Sequence, residues 1–398
     1  MKGEVADMYD FETLVNRRIM NSNKWANMYK TNPNVPDDIV PFSIADMEFK
    51  NAPEIITGLH EFLDTAILGY AAAGDGFLTS VCQWMKNRHE WSIEKEWIAV
   101  SIGVVPALSN IVEAFSEPGD GVLLMTPVYF PFYESIERNK RNVVKSSLVV
   151  KNGRYEIDFE DFEKKAKNPR NKILLFCSPH NPVGRVWTKE ELREVARICL
   201  ENDVLIVSDE IHFDLVMPGY KHTVMATLSP EIADRCITCT SASKSFNLAG
   251  MQASSIIISN KEIREKFVAQ MEKAGHFGLS ILGYKSCELA YTRGLPWLQE
   301  LLPVLQGNAK FIEEYMQKYI PEIKVFQLEG TYLQWWDCRG LGLDYKELSF
   351  IMTHKAYIFM DEGFMFGADG EGFERMDIAC PRFVIEEALE RLRRALKR

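Results

Sequence analysis

Residues 173–208 read ILLFCSPHNPVGRVWTKEELREVARICLENDVLIVS: an apolar run, a polar loop, a helical stretch and a second apolar run. Ile173–Cys177 and Val204–Ser208 are short and apolar without alternation, as in strands buried on both faces. Lys189–Glu201 between them has a helical pattern. A strand, a helix and a second strand of this size make a parallel crossover, because two parallel strands need a long connection. Working outward, Trp97–Ser101, Val122–Thr126, Val143–Val149, Ile237–Thr240 and Ser254–Ser259 are predicted strands, with helices over Val104–Phe115 and Lys261–Glu272. The alternation predicts an α/β fold whose mostly parallel central sheet is sandwiched by helices. In such a sheet the loops after the strands gather on one side, where ligands bind.

From about residue 287 the texture changes. Trp297–Tyr319 is predicted as one long helix, Val325–Gln327 and Tyr332–Trp336 as short strands, and Asp344–His354 and Ile385–Lys397 as helices. The division expected is therefore an N-terminal arm over 1–48 that joins the smaller domain, a large domain over 49–286, and a smaller α+β domain over 287–398. The first 45 residues lack strong periodicity and carry Asn32, Pro33, Pro36 and Pro41, so they read as an arm laid over the body.

The chain has 398 residues with 46 basic and 56 acidic side chains, for a formal charge of −10. That balance gives no electrostatic footprint for nucleic acid or anionic lipid. No apolar run approaches the roughly 18 residues of a membrane span, and Met1–Asp10 has no apolar core of a signal peptide. Eight cysteines without an export signal read as reduced thiols in a cytoplasmic protein. Cys236 and Cys239 form one CxxC with no second pair, which favours packing in a β-segment over a zinc site. No metal is expected.

Four segments carry chemistry. The turn after the strand at 97–101 runs through Gly103 into a helix at Val104, whose free N–H groups and dipole suit an anion, although tight strand-to-helix turns are common without one. Glycines 367, 370 and 372 follow no strand and open no helix, so a nucleotide loop is poorly supported. Ser178-Pro179-His180-Asn181-Pro182-Val183-Gly184 follows a strand where a ligand would sit, and it is also ordinary turn chemistry. Ser208-Asp209-Glu210-Ile211-His212 puts a carboxylate at a buried strand end, where it needs a cation or serves as a helix cap. Ser241-Ala242-Ser243-Lys244-Ser245 sets a lysine among small hydroxylated residues, a sterically open place for covalent bonding to a carbonyl.

In this order the segments resemble a pyridoxal-phosphate enzyme of the aspartate-aminotransferase fold (fold type I). The resemblance runs from about Phe42 to the end. It is closest to the cystathionine β-lyase-like, C–S lyase branch of class I/II aminotransferases, on the phrases Ala45-Asp46-Met47-Glu48-Phe49, GVVPAL, PHNPVGRVW, DEIH and Ile378-Ala379-Cys380-Pro381-Arg382. The resemblance implies that pyridoxal 5'-phosphate is bonded to Lys244, which also moves the substrate Cα proton. It implies that Asp209 pairs with the ring nitrogen, Asn181 and His212 with the ring oxygen, and Tyr129 with the ring face. His212 stands where transaminases of the family usually carry a tyrosine. The phosphate would rest on Gly103, Val104, Val105, Ser241 and Ser243, with Tyr70 reaching into a neighbouring subunit's phosphate site, hence a homodimer. Arg375 would hold the substrate carboxylate, with Asn181, Tyr129 and Ala45 also facing the substrate; Tyr332–Trp336 lines the side-chain pocket or packs the core.

Two departures stand out. The family's usual arginine eight residues after the lysine is Gln252 here, which leaves the phosphate to backbone dipoles and hydroxyls, and no second arginine is obviously placed for a distal carboxylate. The activity implied is α,β-elimination from a small amino acid with sulfur at Cβ, giving thiol, pyruvate and ammonia. The alternatives are an aminotransferase of small or aromatic amino acids, and a regulatory binding protein that keeps the fold.

Overall fold

The computed structural model describes residues 9–397, so most of the Met1–Asp10 stretch lies outside the described residues. A seven-stranded sheet is built from β1 (Ile98–Ser101), β2 (Gly121–Thr126), β3 (Asn142–Ser147), β6 (Asn171–Cys177), β7 (Leu205–Asp209), β8 (Cys236–Thr240) and β9 (Ser254–Ile257); β4 (Val149–Lys151) and β5 (Arg154–Glu156) form a separate hairpin. The order is β1-β9-β8-β7-β6-β2-β3. β3, β2, β6, β7 and β8 pair in parallel, while β9 is antiparallel to both β8 and β1. The reversal has a local cause. Only Ser241–Ala253 joins β8 to β9, and its one-turn helix Ala242–Ser245 cannot make a parallel crossover. That return loop carries Lys244.

The central strands are buried throughout β2, β7 and β8, as expected of a sheet covered on both faces. The helices Val104–Phe115 and Lys189–Glu201 have the bounds expected from sequence. The second begins at a capping box: the Thr188 hydroxyl accepts from the Glu191 N–H, and the Glu191 carboxylate accepts from the Thr188 N–H, worth about 1 kcal/mol. The single strand expected at Val143–Val149 is two. β3 ends at Ser147, and β4 turns back on β5 through Asn152 and Gly153, both at positive φ, the pairing that a two-residue hairpin demands. Cys236 and Cys239 lie buried in β8.

A four-stranded antiparallel sheet follows, ordered β10 (Lys324–Val325), β11 (Leu333–Asp337), β13 (Phe373–Asp377), β12 (Asp361–Glu362). It packs with the helices Leu295–Tyr319 and Arg382–Ala395. The helix expected over Asp344–His354 is α-helical only to Phe350 and continues as a π turn, Ile351–Lys355. The N-terminal segment contains a helix the sequence reading did not foresee, Asn23–Thr31, which buries Lys24, Trp25 and Met28. Its continuation is stitched to the second sheet: Phe42 N–H donates to Phe359 O, Asp377 N–H to Phe42 O and Glu48 N–H to Ala379 O. Among the described residues no helix is long and apolar enough to cross a membrane.

Candidate active site

One cavity of about 800 Å³, including its open mouth, lies at the C-terminal ends of β1, β6, β7 and β8. Gly103, Val104 and Val105 border it at the start of the helix Val104–Phe115, where unpaired N–H groups and the positive dipole end face in. Asn181 enters from the loop after β6, Asp209 from the last residue of β7, His212 from the turn beyond it, and Ser241, Ser243 and Lys244 from the loop after β8. Tyr129 and Ala45 complete the wall. The cavity thus gathers the sequence-nominated positions at the strand ends. Arg375, on β13, borders it through Asn181, whose side-chain oxygen accepts from Arg375 Nη1 at 2.9 Å. Tyr70 is the exception: it is fully exposed, away from this pocket.

The electrostatics are unusual. Asp209 is buried, and its carboxylate accepts from the Ile211 N–H at 3.1 Å. Burial pushes its carboxyl up to about 7, with Glu210 adding to the rise and Lys244 opposing it. The Lys244 amine is lowered to about 8, chiefly by burial. Lys244 Nζ donates to the Ala45 carbonyl at 2.6 Å, and Tyr332 OH donates to the same oxygen at 2.9 Å. His212 is held neutral by burial and by the nearby Lys244 and Arg375 charges, and among the described residues its Nδ1 has no partner. Arg375 is 2 % exposed; besides Asn181 it pairs with Asp361 through Nη2 and lies over the Phe366 ring, and among the described residues its Nε has no partner.

Several contributors escaped the sequence reading. Asp361, which anchors Arg375, leaves no motif, and Ala45, expected to face the substrate, meets Lys244 through its backbone carbonyl. Ile102, Cys177, Ile211, Ala249 and Ser254 also line the cavity. Ser241 acts locally, since its hydroxyl donates to Ala253 O at 2.7 Å and accepts from the Ser243 N–H, capping the turn that carries Lys244. Tyr332 reaches the site through its hydroxyl, whereas Trp335 and Trp336 pack in the core.

The residues present fit pyridoxal 5'-phosphate. A buried carboxyl short of a cation, a neutral ring with an orphaned nitrogen, a lowered amine and a helix start free of side-chain anions match a cationic ring nitrogen, a ring oxygen, an aldehyde and a phosphate.

Comparison with known proteins agrees. Residues 38–392 match the family model for aminotransferase class I and II. The chain is similar to cystathionine beta-lyase PatB of Bacillus subtilis, 42% identical over 90% of this chain and 93% of that one. It is also similar to protein MalY of Escherichia coli, at 32% over 98% and 99%. The crystal structure of cystalysin from Treponema denticola, which contains a pyridoxal 5'-phosphate cofactor, superposes with a TM-score of 0.97, at 48% identity over 98% of this chain and 99% of that one. The chain belongs to the class I and II aminotransferase family.

Proposed function

We propose that this chain is a pyridoxal 5'-phosphate-dependent carbon–sulfur β-lyase, acting on cystathionine or related amino acids with sulfur at Cβ. When bound, pyridoxal 5'-phosphate supplies an aldehyde that captures an amine and a ring that draws electrons from the captured carbon. Lys244 offers the amine and, near pH 8, exchanges its proton readily enough to take one from the substrate Cα. The Ala45 carbonyl keeps that amine oriented. Asp209 would hold a proton on the ring nitrogen by charge. Asn181 and His212 would bond the ring oxygen, a role for which a neutral imidazole retains one N–H. Tyr129 would hold the ring by its face. The N–H groups from Gly103 to Val105, with Ser243 on the turn that Ser241 caps, would receive the phosphate. Arg375 takes the substrate carboxylate in its planar fork, with Asn181, Tyr129 and Ala45 beside the substrate. Loss of the Cα proton and expulsion of the thiolate from Cβ leave an unsaturated amine that water converts to pyruvate and ammonia.

The observation that carries this reading is the convergence of Lys244, Asp209 and Asn181 on one cavity, with Arg375 bonded to Asn181, in a chain 42% identical to a cystathionine β-lyase. Incubating the holoenzyme with cystathionine tests it: pyruvate and a free thiol are expected. Formation of a new amino acid from an added 2-oxo acid, without pyruvate, would instead establish the aminotransferase reading.

The same proposal includes a homodimer that completes each site with the neighbour's Tyr70. The exposure of Ile67, Leu68 and Tyr70 in one stretch supports it. It places the enzyme in the cytoplasm, where eight free cysteines stay reduced. It divides the chain into an arm over 1–48, a cofactor-binding domain over 49–286 and a smaller domain over 287–398.

A further inference from the structure

Beside the pocket, but outside its wall, lies a buried charge cluster contributed by the N-terminal segment. Lys24 is 1 % exposed. Its Nζ donates to the Asp46 carbonyl at 2.7 Å and to Asp377 Oδ2 at 3.0 Å, with Glu48 at 3.4 Å and the Asp46 carboxylate at 3.6 Å. Arg17 binds both Asp46 carboxylate oxygens, at 3.0 and 2.8 Å, and Glu48 at 2.8 Å. Burying ions costs several kcal/mol apiece before their attraction offsets it. Trp25 and Met28 already dock this helix through apolar contact, so docking alone does not call for a buried lysine.

The cluster is centred on a turn. Ile44 has φ +55, a conformation a β-branched side chain rarely adopts, so its surroundings must hold it. They do so from several sides: Ile44 N–H donates to Asp361 Oδ2 at 3.0 Å, Asp46 N–H to Ile44 O at 2.9 Å, and Met47 N–H to Asn247 Oδ1 at 2.9 Å. Lys24 grips the carbonyl of Asp46 and Arg17 its carboxylate. The carbonyl between these anchors, that of Ala45, is the acceptor for Lys244.

We propose that Lys24 is a positioning residue for Lys244: by fixing the Ile44–Asp46 turn against Asp377, it aims the Ala45 carbonyl at the Lys244 amine. The inference rests on the proposed use of Lys244 and adds a residue to that reading. The charged groups facing Lys24 are Asp46, Glu48, Asp377 and, across them, Arg17; those acting on Lys244 are Asp46, Asp377, Asp209 and Arg375.

The test is the holoenzyme of the double variant Lys24→Met, Asp377→Asn. It removes one buried cation and one buried anion, so the cluster keeps its net charge, while the Lys24 grip on the Asp46 carbonyl is lost and Arg17 keeps its carboxylate. The amide introduced at position 377 still offers a side-chain oxygen to Ala379 N–H, as Asp377 does. We expect a folded protein whose kcat for pyruvate release falls about 10- to 100-fold, with KM within about twofold, because misplacing a reacting group by a fraction of an ångström acts on the chemical step. The visible circular dichroism of the bound cofactor should weaken as the Lys244 tether loosens. A kcat within about twofold of the parent with an unchanged visible band overturns the proposal, as does a rise in KM alone. A double variant that cannot fold overturns it too, since the pair would then serve the fold. A parent holoenzyme that binds cofactor but releases no pyruvate defeats the lyase reading instead, and the visible band still decides the role of Lys24.

Discussion

Replacing Asp209 with asparagine should make the cofactor-free chain more stable in alkali and confer no such gain in acid. The folded carboxyl titrates near 7, against an ordinary 3.8, because burial disfavours its charge and outweighs the opposing Ile211 N–H and Lys244 charge. Between those two values the unfolded chain has released a proton that the folded chain retains, so folding stability falls as pH rises through this window and levels off above it. Each pH unit is worth about 1.4 kcal/mol, so the parent loses about 3 kcal/mol between pH 5 and pH 7, and about 4 kcal/mol is the upper bound on the whole effect. Asparagine keeps the shape and the acceptor for Ile211 N–H but has no charge to bury. Its own desolvation is the same at every pH and cancels when the gap between variant and parent is followed. Urea unfolding monitored by tryptophan fluorescence at pH 5 and pH 8 measures that gap. An increase of about 2–3 kcal/mol in the variant's favour is expected, on the order set by the linkage relation. A gap that stays constant across the two pH values refutes the claim that Asp209 is a carboxylate awaiting a cation. Saturating cofactor should abolish the variant's advantage, because the ring nitrogen supplies the missing charge only to aspartate.

Arg375→Lys should raise KM for an amino-acid substrate by about 10- to 100-fold, the loss of one charge-assisted hydrogen bond, since an ammonium cannot present a fork while also reaching Asn181 and Asp361; steady-state kinetics read it directly. Covalent capture of pyridoxal 5'-phosphate by the cofactor-free chain, followed by visible absorbance after mixing, should quicken about tenfold per pH unit below pH 8 and level off above, because the neutral amine is the nucleophile. Loss of capture in Lys244→Ala is the companion result. Gln252→Arg should restore a counter-charge beside the phosphate and slow cofactor loss on dialysis by about tenfold or more, the worth of one charge-assisted bond.

The βαβ architecture was legible because its signals are local. Lys189–Glu201 announces itself through spacing and through Thr188 and Glu191 at its start, and the buried strands are continuous apolar runs. The turn between β4 and β5 was also written in the chain, in Asn152-Gly153, but the break between β3 and β4 at Leu148 has no turn residue to mark it, since Val149-Val150 follows directly. The reversal of β9 depends on the shortness of its connection and not on the strand's own composition. Side chains at strand ends were readable as candidates because the topology delivers every such end to one place. The Ala45 carbonyl was not, since a backbone oxygen has no sequence signature. Lys24 and Asp361 were missed for another reason: each looks like a surface charge until partners 353 and 14 residues away bury it. The helix Asn23–Thr31 is short and polar on average, and tertiary contact, not propensity, accounts for it.

The pocket is hostile to charge of either sign. It pushes the Asp209 carboxyl up, the Lys244 amine down and the His212 imidazole well down, all chiefly by burial. Asp361 and Asn181 hold the two terminal nitrogens of Arg375, and among the described residues its Nε has no partner. A site made to retain a simple anion or cation would have its complement built in. Here the unmet groups have different signs and sit at different strand ends, so a ligand that satisfies them together must itself be spread across the cavity, carrying a cationic atom toward Asp209, an electrophile toward Lys244 and a phosphate toward the helix start at Val104. Such a ligand stabilises the folded chain by satisfying what folding left unsatisfied. The Asp209 titration and the pH dependence of capture by Lys244 are therefore two views of one property, the polarity that the sheet ends withhold until the cofactor arrives.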